Sequence, residues 1–156
     1  FTVIVDYAHE RSSMQALVDA ALTIKKPNTK LIVIYGAEGG GRDKRKRWEM
    51  SEVISKDVEI AIVTTTDPYD ENLEEINYDI GKYLEEYGMK INESYFIIHD
   101  RKEAIKKALL EAKKDDIVII TGKGAEQSML LAKGNTIPWD DRVITRNLLL
   151  ELGYGK

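Results

Sequence analysis

Apolar residues in this chain come in two rhythms. Five runs, Thr2–Val5, Leu31–Tyr35, Ile60–Thr64, Tyr95–Ile98 and Ile117–Thr121, are nearly all apolar and rich in β-branched residues, without in-and-out alternation. Such runs predict strands covered on both faces, as in a parallel sheet flanked by helices. Between them the spacing changes to the helical period. Met14, Leu17, Val18, Ala21 and Leu22 form one stripe, with Ser12 and Gln15 as an expected capping box and Pro27-Asn28 as the stop. A second helix is expected from about Lys44 to Lys56, with Trp48, Val53 and Ile54 inward. A third uses Leu73, Ile76, Ile80, Leu84 and Tyr87 and ends at Gly88. A fourth uses Ala104, Ile105, Ala108, Leu109 and Ala112. After the fifth strand, Met129-Leu130-Leu131 and Thr136-Ile137-Pro138 flank Gly134-Asn135, which predicts a hairpin with a two-residue turn and Pro138 at a sheet edge. A last helix is expected from about Asp141 to Leu152. The pattern predicts one doubly wound, Rossmann-like α/β domain over residues 1–156, with a mostly parallel sheet, helices on both faces and a hairpin at its edge.

Composition narrows the chemistry. The chain has 156 residues, enough for one core, and a net charge of −4, which speaks against a general affinity for nucleic acid. It has no cysteine, so disulfides, Cys-based zinc sites and thiol nucleophiles are excluded. Apolar runs of four or five residues are far short of the ~20 of a membrane helix. The chain starts on a strand without an initiator Met, which predicts a piece of a longer protein.

In open α/β sheets ligands bind beyond the carboxyl ends of the strands, so the segments after each strand matter most. All five are polar: Asp6-Tyr7-Ala8-His9, Gly36 to Lys44, Thr65 to Glu71, His99-Asp100-Arg101 and Gly122-Lys123-Gly124-Ala125-Glu126. Five of the six residues Arg42–Arg47 are basic although a helix begins there, where positive charge opposes the macrodipole. This points to a carboxylate or phosphate held by Arg42, Lys44 or Arg47, or else to a flexible glycine turn before a solvated helix start. Asp6 is placed to accept ribose hydroxyls or to close a turn. His9 suits a base or phosphate, or a turn. Asp67 before Pro68 forms a turn or offers a carboxylate to a ligand amine. Neither a P-loop nor a G-x-G-x-x-G is present, and no Ser-His-Asp set or transition-metal set is recognisable.

Together these segments resemble the C-terminal domain of the Mur ligases, ATP-dependent amide ligases of peptidoglycan precursor synthesis, most closely the UDP-N-acetylmuramoyl-tripeptide synthetases (MurE-type). The resemblance rests on Val5-Asp6-Tyr7-Ala8-His9, the run Gly39 to Arg47, Asp67-Pro68, Gly122 to Glu126 and Asp140-Asp141-Arg142-Val143, in family order across the chain. It implies a third domain that closes on a central ATPase domain carrying the P-loop, the Mg2+ ligands and a carbamylated lysine. There the γ-phosphate of ATP activates a carboxylate of the UDP-MurNAc-peptide as an acyl phosphate, which the incoming amino acid's amine attacks. Asp6 and His9 then correspond to nucleotide-binding positions. Arg42 corresponds to the arginine on the amino acid's carboxylate, and Gly122 and Glu126 to positions at its far end. No residue here corresponds to a catalytic group or a metal ligand, and the domain alone is expected to be inactive. Where diaminopimelate-adding enzymes carry Asp-Asn-Pro-Arg, this chain has Thr66-Asp67-Pro68-Tyr69. Tyr69 cannot pair with a distal carboxylate, so Asp67 and Glu126 are expected to favour a side-chain ammonium such as that of lysine or ornithine. Ala125 also replaces a common histidine. The resemblance implies a cytoplasmic setting with no nucleic-acid or membrane partner. Folylpolyglutamate, cyanophycin and cell-wall amidating ligases share the domain, and a free-standing binding module or scaffold is the alternative of another class.

Overall fold

The five β-branched runs form one parallel sheet in the order β1-β5-β2-β3-β4. The strands are β1 (Thr2–Val5), β2 (Leu31–Tyr35), β3 (Ile60–Val63), β4 (Tyr95–Ile97) and β5 (Ile117–Ile120). The structure is a computed structural model, and it describes residues 1–155. Each strand lies within its expected run, three of them one residue shorter at the carboxyl end. The inner strands β2, β3 and β5 are buried throughout. The expectation of burial on both faces fails for β1. As an edge strand it leaves Thr2 exposed and Val3, Ile4 and Val5 half-buried, and at the other edge β4 leaves Phe96 and Ile97 half-buried. A one-sided hydrogen-bond ladder, not a change in composition, sets that difference.

Alternation along β2 divides the core in two. Leu31, Val33 and Tyr35 meet Met14, Val18, Met50, Ile54, Ile76 and Ile80 of α1 (Arg11–Ile24), α2 (Arg45–Asp57) and α3 (Leu73–Glu86). Ile32 and Ile34 meet Ala104, Ile105, Ala108 and Leu148 of α4 (Arg101–Glu111) and α5 (Asp141–Glu151). This is the expected doubly wound fold, three helices on one face and two on the other.

Local details differ from the sequence expectations. The capping box of α1 lies two residues earlier than expected. Glu10 is the N-cap, with its backbone N–H donating to Ser13 Oγ (3.2 Å), while Gln15 donates to Asp19 (2.8 Å). In α2 the inward stripe is Arg47, Met50, Val53 and Ile54, and Trp48 is only half-buried. Tyr87, expected in the inward stripe of α3, is instead its exposed C-cap residue. The hairpin β6 (Ser128–Leu130) and β7 (Thr136–Pro138) is a separate two-stranded sheet, not an edge of the main one. Residues 131–135 connect its arms through a 3-10 turn at Ala132–Gly134, with Lys133 and Gly134 both at positive φ, so the expected two-residue turn is replaced by a five-residue loop.

Parallel register brings the carboxyl ends of the strands level: Val5 beside Ile120, Ile34 beside Ile120, Tyr35 beside Val63, and Val63 beside Ile97. The five polar segments therefore emerge on one edge of the sheet.

Candidate functional site

The loop after β1 folds on Asp6, whose Oδ1 accepts the Ala8 backbone N–H at 2.8 Å. His9 Nδ1 lies 2.9 Å from the Tyr7 carbonyl oxygen, and its ring meets Tyr7 edge-on with centroids 4.7 Å apart. These residues, with Ser12 and Ser13 of α1, line a cavity of about 300 Å³. Asp6 and His9 are thus brought together, with Asp6 half-buried.

The glycine loop after β2 is tied to the loop after β3 by Gly39, whose N–H donates to the Asp67 carbonyl (2.8 Å). Gly40 has φ +70°, and a Cβ there would stand 2.9 Å from the Tyr69 ring, so only glycine lets the two loops meet. Arg42 Nη2 donates to Tyr69 Oη (3.1 Å), the guanidinium stands 5.5 Å from the ring centroid, and Nη1 lies 3.6 Å from Glu38. The basic run then divides. Arg42 stays about half exposed at the loop tips, at 55%. Lys44 reaches Glu71 (3.5 Å), Arg45 pairs with Asp43 (2.6 Å) and Lys46 with Glu10 (3.2 Å). Arg47 points inward at 3% exposure, held by Glu71 (2.7 Å) and Asp79 (3.0 Å). That corrects its place among the anion-binding candidates: it shares a helix stripe with Met50 and Ile54, so its charge is turned into the fold. Sequence spacing at i, i+3 and i+7 carried that signal.

Asp67 requires a second correction. Its carboxylate is buried and accepts two hydrogen bonds from Lys123 Nζ (2.8 and 2.9 Å) and one from the Leu130 backbone N–H (2.8 Å). It is engaged by the protein, not offered to a ligand amine. Glu126, more than a third exposed, shares the same ammonium at 2.5 Å. Its carboxylate, first by hydrogen bonding and then by charge, pushes the Tyr7 hydroxyl above the usual phenol range. Gly122, at φ +97°, approaches Thr66, whose buried hydroxyl has no protein partner.

Two residues central to this edge escaped the sequence reading. Lys123, read only with its flanking glycines as a passing likeness to a phosphate loop, is buried and joins two loops. Arg101, read only as part of a polar segment, is buried and pairs bidentately with Asp141 (2.9 and 2.7 Å). It also donates to the Thr65 and Thr121 carbonyls (3.1 and 2.7 Å). Asp141 further accepts from Trp139 Nε1 (2.8 Å). No local spacing links residues 40 positions apart. His99, at the same edge, is held by Asn77 at 3.0 Å, and its carbonyl accepts from Thr65.

Comparison with known proteins gives one consistent result. Residues 1–124 match the family model described as Mur ligase, glutamate ligase domain. The UDP-N-acetylmuramoyl-L-alanyl-D-glutamate–2,6-diaminopimelate ligase 1 of Clostridium acetobutylicum is 41% identical over 152 residues, 97% of this chain and 30% of that protein. The UDP-N-acetylmuramyl-tripeptide synthetase of a Roseiflexus strain is 37% identical over 158 residues, 99% of this chain and 30% of that protein. A solved UDP-N-acetylmuramoyl-L-alanyl-D-glutamate–2,6-diaminopimelate ligase superposes with a TM-score of 0.83 at 28% identity, over 98% of this chain and 30% of that one. The chain spans about three-tenths of the length of these relatives.

Proposed function

We propose, for a chain that belongs to the Mur ligase family and matches its glutamate ligase domain, that residues 1–156 act as the nucleotide- and amino-acid-binding domain of an ATP-dependent amide ligase of peptidoglycan precursor synthesis. The observation that carries this reading is the different fate of the basic run. Four of its cations are paired back onto the helix and its neighbours. Arg42 also has a carboxylate nearby, Glu38 at 3.6 Å, but of these cations it is the one that donates to a neutral hydroxyl, Tyr69 Oη, where the loops after β2 and β3 meet. A guanidinium so held suits a carboxylate.

In this reading Arg42 takes the α-carboxylate of the incoming amino acid, leaving its amine to face an acyl phosphate presented by a central ATPase domain. Attack forms the amide C–N bond, the C–O bond to phosphate breaks, and the amine proton is released. Asp6 accepts ribose hydroxyls of ATP and His9 lies at the nucleotide. The half-buried Asp6 carboxylate beside a cavity of about 300 Å³ fits that role. Magnesium fits less well here: no group of three or more His, Asp or Glu among the described residues is arranged to hold a metal ion. Phosphate transfer, its Mg2+ chemistry and the UDP-MurNAc-peptide belong to the other domains of the family's plan, in the cytoplasm where such precursors occur. No helix among the described residues is long and apolar enough to cross a membrane.

Gly122 and Glu126 face the amino acid's far end. Tyr69, a neutral residue already bound to Arg42, offers no positive charge to a second carboxylate. This supports a side-chain ammonium, as in lysine or ornithine, received by Glu126 alone, since Asp67 is enclosed. The names of two of the three relatives above carry 2,6-diaminopimelate instead, which makes the substrate the point to test. Calorimetric titration of the ligase containing this chain, with UDP-MurNAc-dipeptide and a non-hydrolysable ATP analogue, is expected to show selective binding of lysine or ornithine. Selective binding of diaminopimelate would overturn the Tyr69 argument. Absence of binding by any amino acid would overturn the whole reading.

A further inference from the structure

We infer that Lys123 is a positioning residue: its buried ammonium fixes Glu126 and, through Asp67, the β6–β7 hairpin, so that one side chain sets the far end of the site. The role given to Glu126 rests on the proposed function above. The inference itself starts from where Lys123 lies. It follows β5 between two glycines that both have positive φ, and this turn directs the side chain inward to 1% exposure. An isolated buried ammonium is strongly destabilising. Here it is compensated from two directions, by Asp67 at 2.8 and 2.9 Å and by Glu126 at 2.5 Å. These partners come from different segments, the loop after β3 and the turn after β5.

The chain of contacts continues. Asp67 Oδ1 also accepts the Leu130 N–H at 2.8 Å, and Asp70 in the same loop accepts the Lys133 N–H at 2.7 Å. A two-stranded hairpin is marginal on its own, and β7 is exposed along its length. Two carboxylates of the loop after β3 therefore hold its backbone, and Lys123 neutralises the buried one. Charge adds a consequence for the ligand. One ammonium against two carboxylates leaves the cluster at −1. Glu126 is its exposed member, at 38% against 5% for Asp67. The surplus negative charge is presented outward, at a position that Lys123 holds.

The test uses two variants, Lys123→Met and the charge-balanced Lys123→Met/Asp67→Asn, which keeps an acceptor for Leu130 and removes both buried charges. In the 156-residue chain, amide hydrogen exchange of Leu130 relative to Ile34 of β2 is expected to accelerate at least about tenfold in the single variant and severalfold in the double one, because a charge-assisted bond is lost or weakened. In the ligase containing the chain, both variants are expected to raise KM for the amino acid about tenfold or more, with KM for ATP within about twofold of wild type. A purely structural lysine would leave the amino-acid KM of the refolded double variant near its original value. An unchanged Leu130 exchange ratio, or an amino-acid KM within about twofold in a folded double variant, overturns the inference. A wild-type ligase without amino-acid-dependent turnover overturns the proposed function instead, and the exchange ratio in the double variant then decides the role of Lys123.

Discussion

Two buried cations stand at the same edge of the sheet and differ in how completely they are satisfied. Arg101 has a bidentate carboxylate and two backbone carbonyls, all from groups that are themselves buried, and it joins the ends of β3 and β5 to the start of α5. Lys123 is shared between two carboxylates, one enclosed and one open to solvent. The first arrangement closes on itself and serves the fold. The second leaves charge over and directs it outward, which is what a binding site needs. Burial of a charge is thus a poor guide to function, and the balance of its partners is a better one.

The largest effect should come from breaking the closed arrangement. Arg101→Met leaves Asp141 buried without its counter-charge and is expected to cost about 3–5 kcal/mol in urea denaturation. Adding Asp141→Asn should recover part of that loss, since the pair is removed together. A cost below about 1 kcal/mol would show that water or other groups can replace the guanidinium, and the contrast with Lys123 would fall.

The basic run gives a second, smaller contrast. Arg47→Ala removes a buried cation whose partners Glu71 and Asp79 are partly exposed and can rehydrate. A loss of about 1–2 kcal/mol is expected, with amino-acid affinity little changed. Arg42→Ala should do the reverse, leaving the denaturation midpoint in place while weakening amino-acid binding by about tenfold or more in calorimetry. Equal effects of the two variants on binding would erase the distinction between inward and outward cations.

The smallest effect concerns Asp140, next to the Asp141 that anchors Arg101. Hydrogen bonds from the Arg142 side chain, opposed by burial and joined by backbone N–H groups of Arg142 and Val143, lower its carboxyl from 3.8 to about 2. Because the folded value is the lower one, the stabilisation is complete above the ordinary value and is lost as the pH falls from about 4 through about 2. Asp140→Ala should cost about 1 kcal/mol at neutral pH, the usual value of an N-cap. The difference from wild type should shrink on acidification towards pH 2. A difference that stays constant with pH would mean the cap acts through its shape, not its charge.

How much of this was legible beforehand differs by element. The five strands and five helices follow from runs and stripes of apolar residues, because burial is a property of each element's own face. The boundaries slipped where side chains had a choice. Glu10 took the cap expected of Ser12, and Arg47 took the inward place expected of Trp48, since its carboxylate partners came from the loop before α3 and from α3 itself. The loops of the candidate site were legible as polar segments after strands, and Arg42 as a charge out of place at a helix start. Asp67 was misread because its partner lies 56 residues away.

The sequence by itself therefore determined the layers of the fold and which five loops meet, through periodicity and the level ends of a parallel sheet. The tertiary structure decided which charges face solvent and which face one another. That decision depends on pairs such as Arg101–Asp141 and Lys123–Asp67, far apart in the chain, whose burial is tolerable only because each charge meets its opposite there.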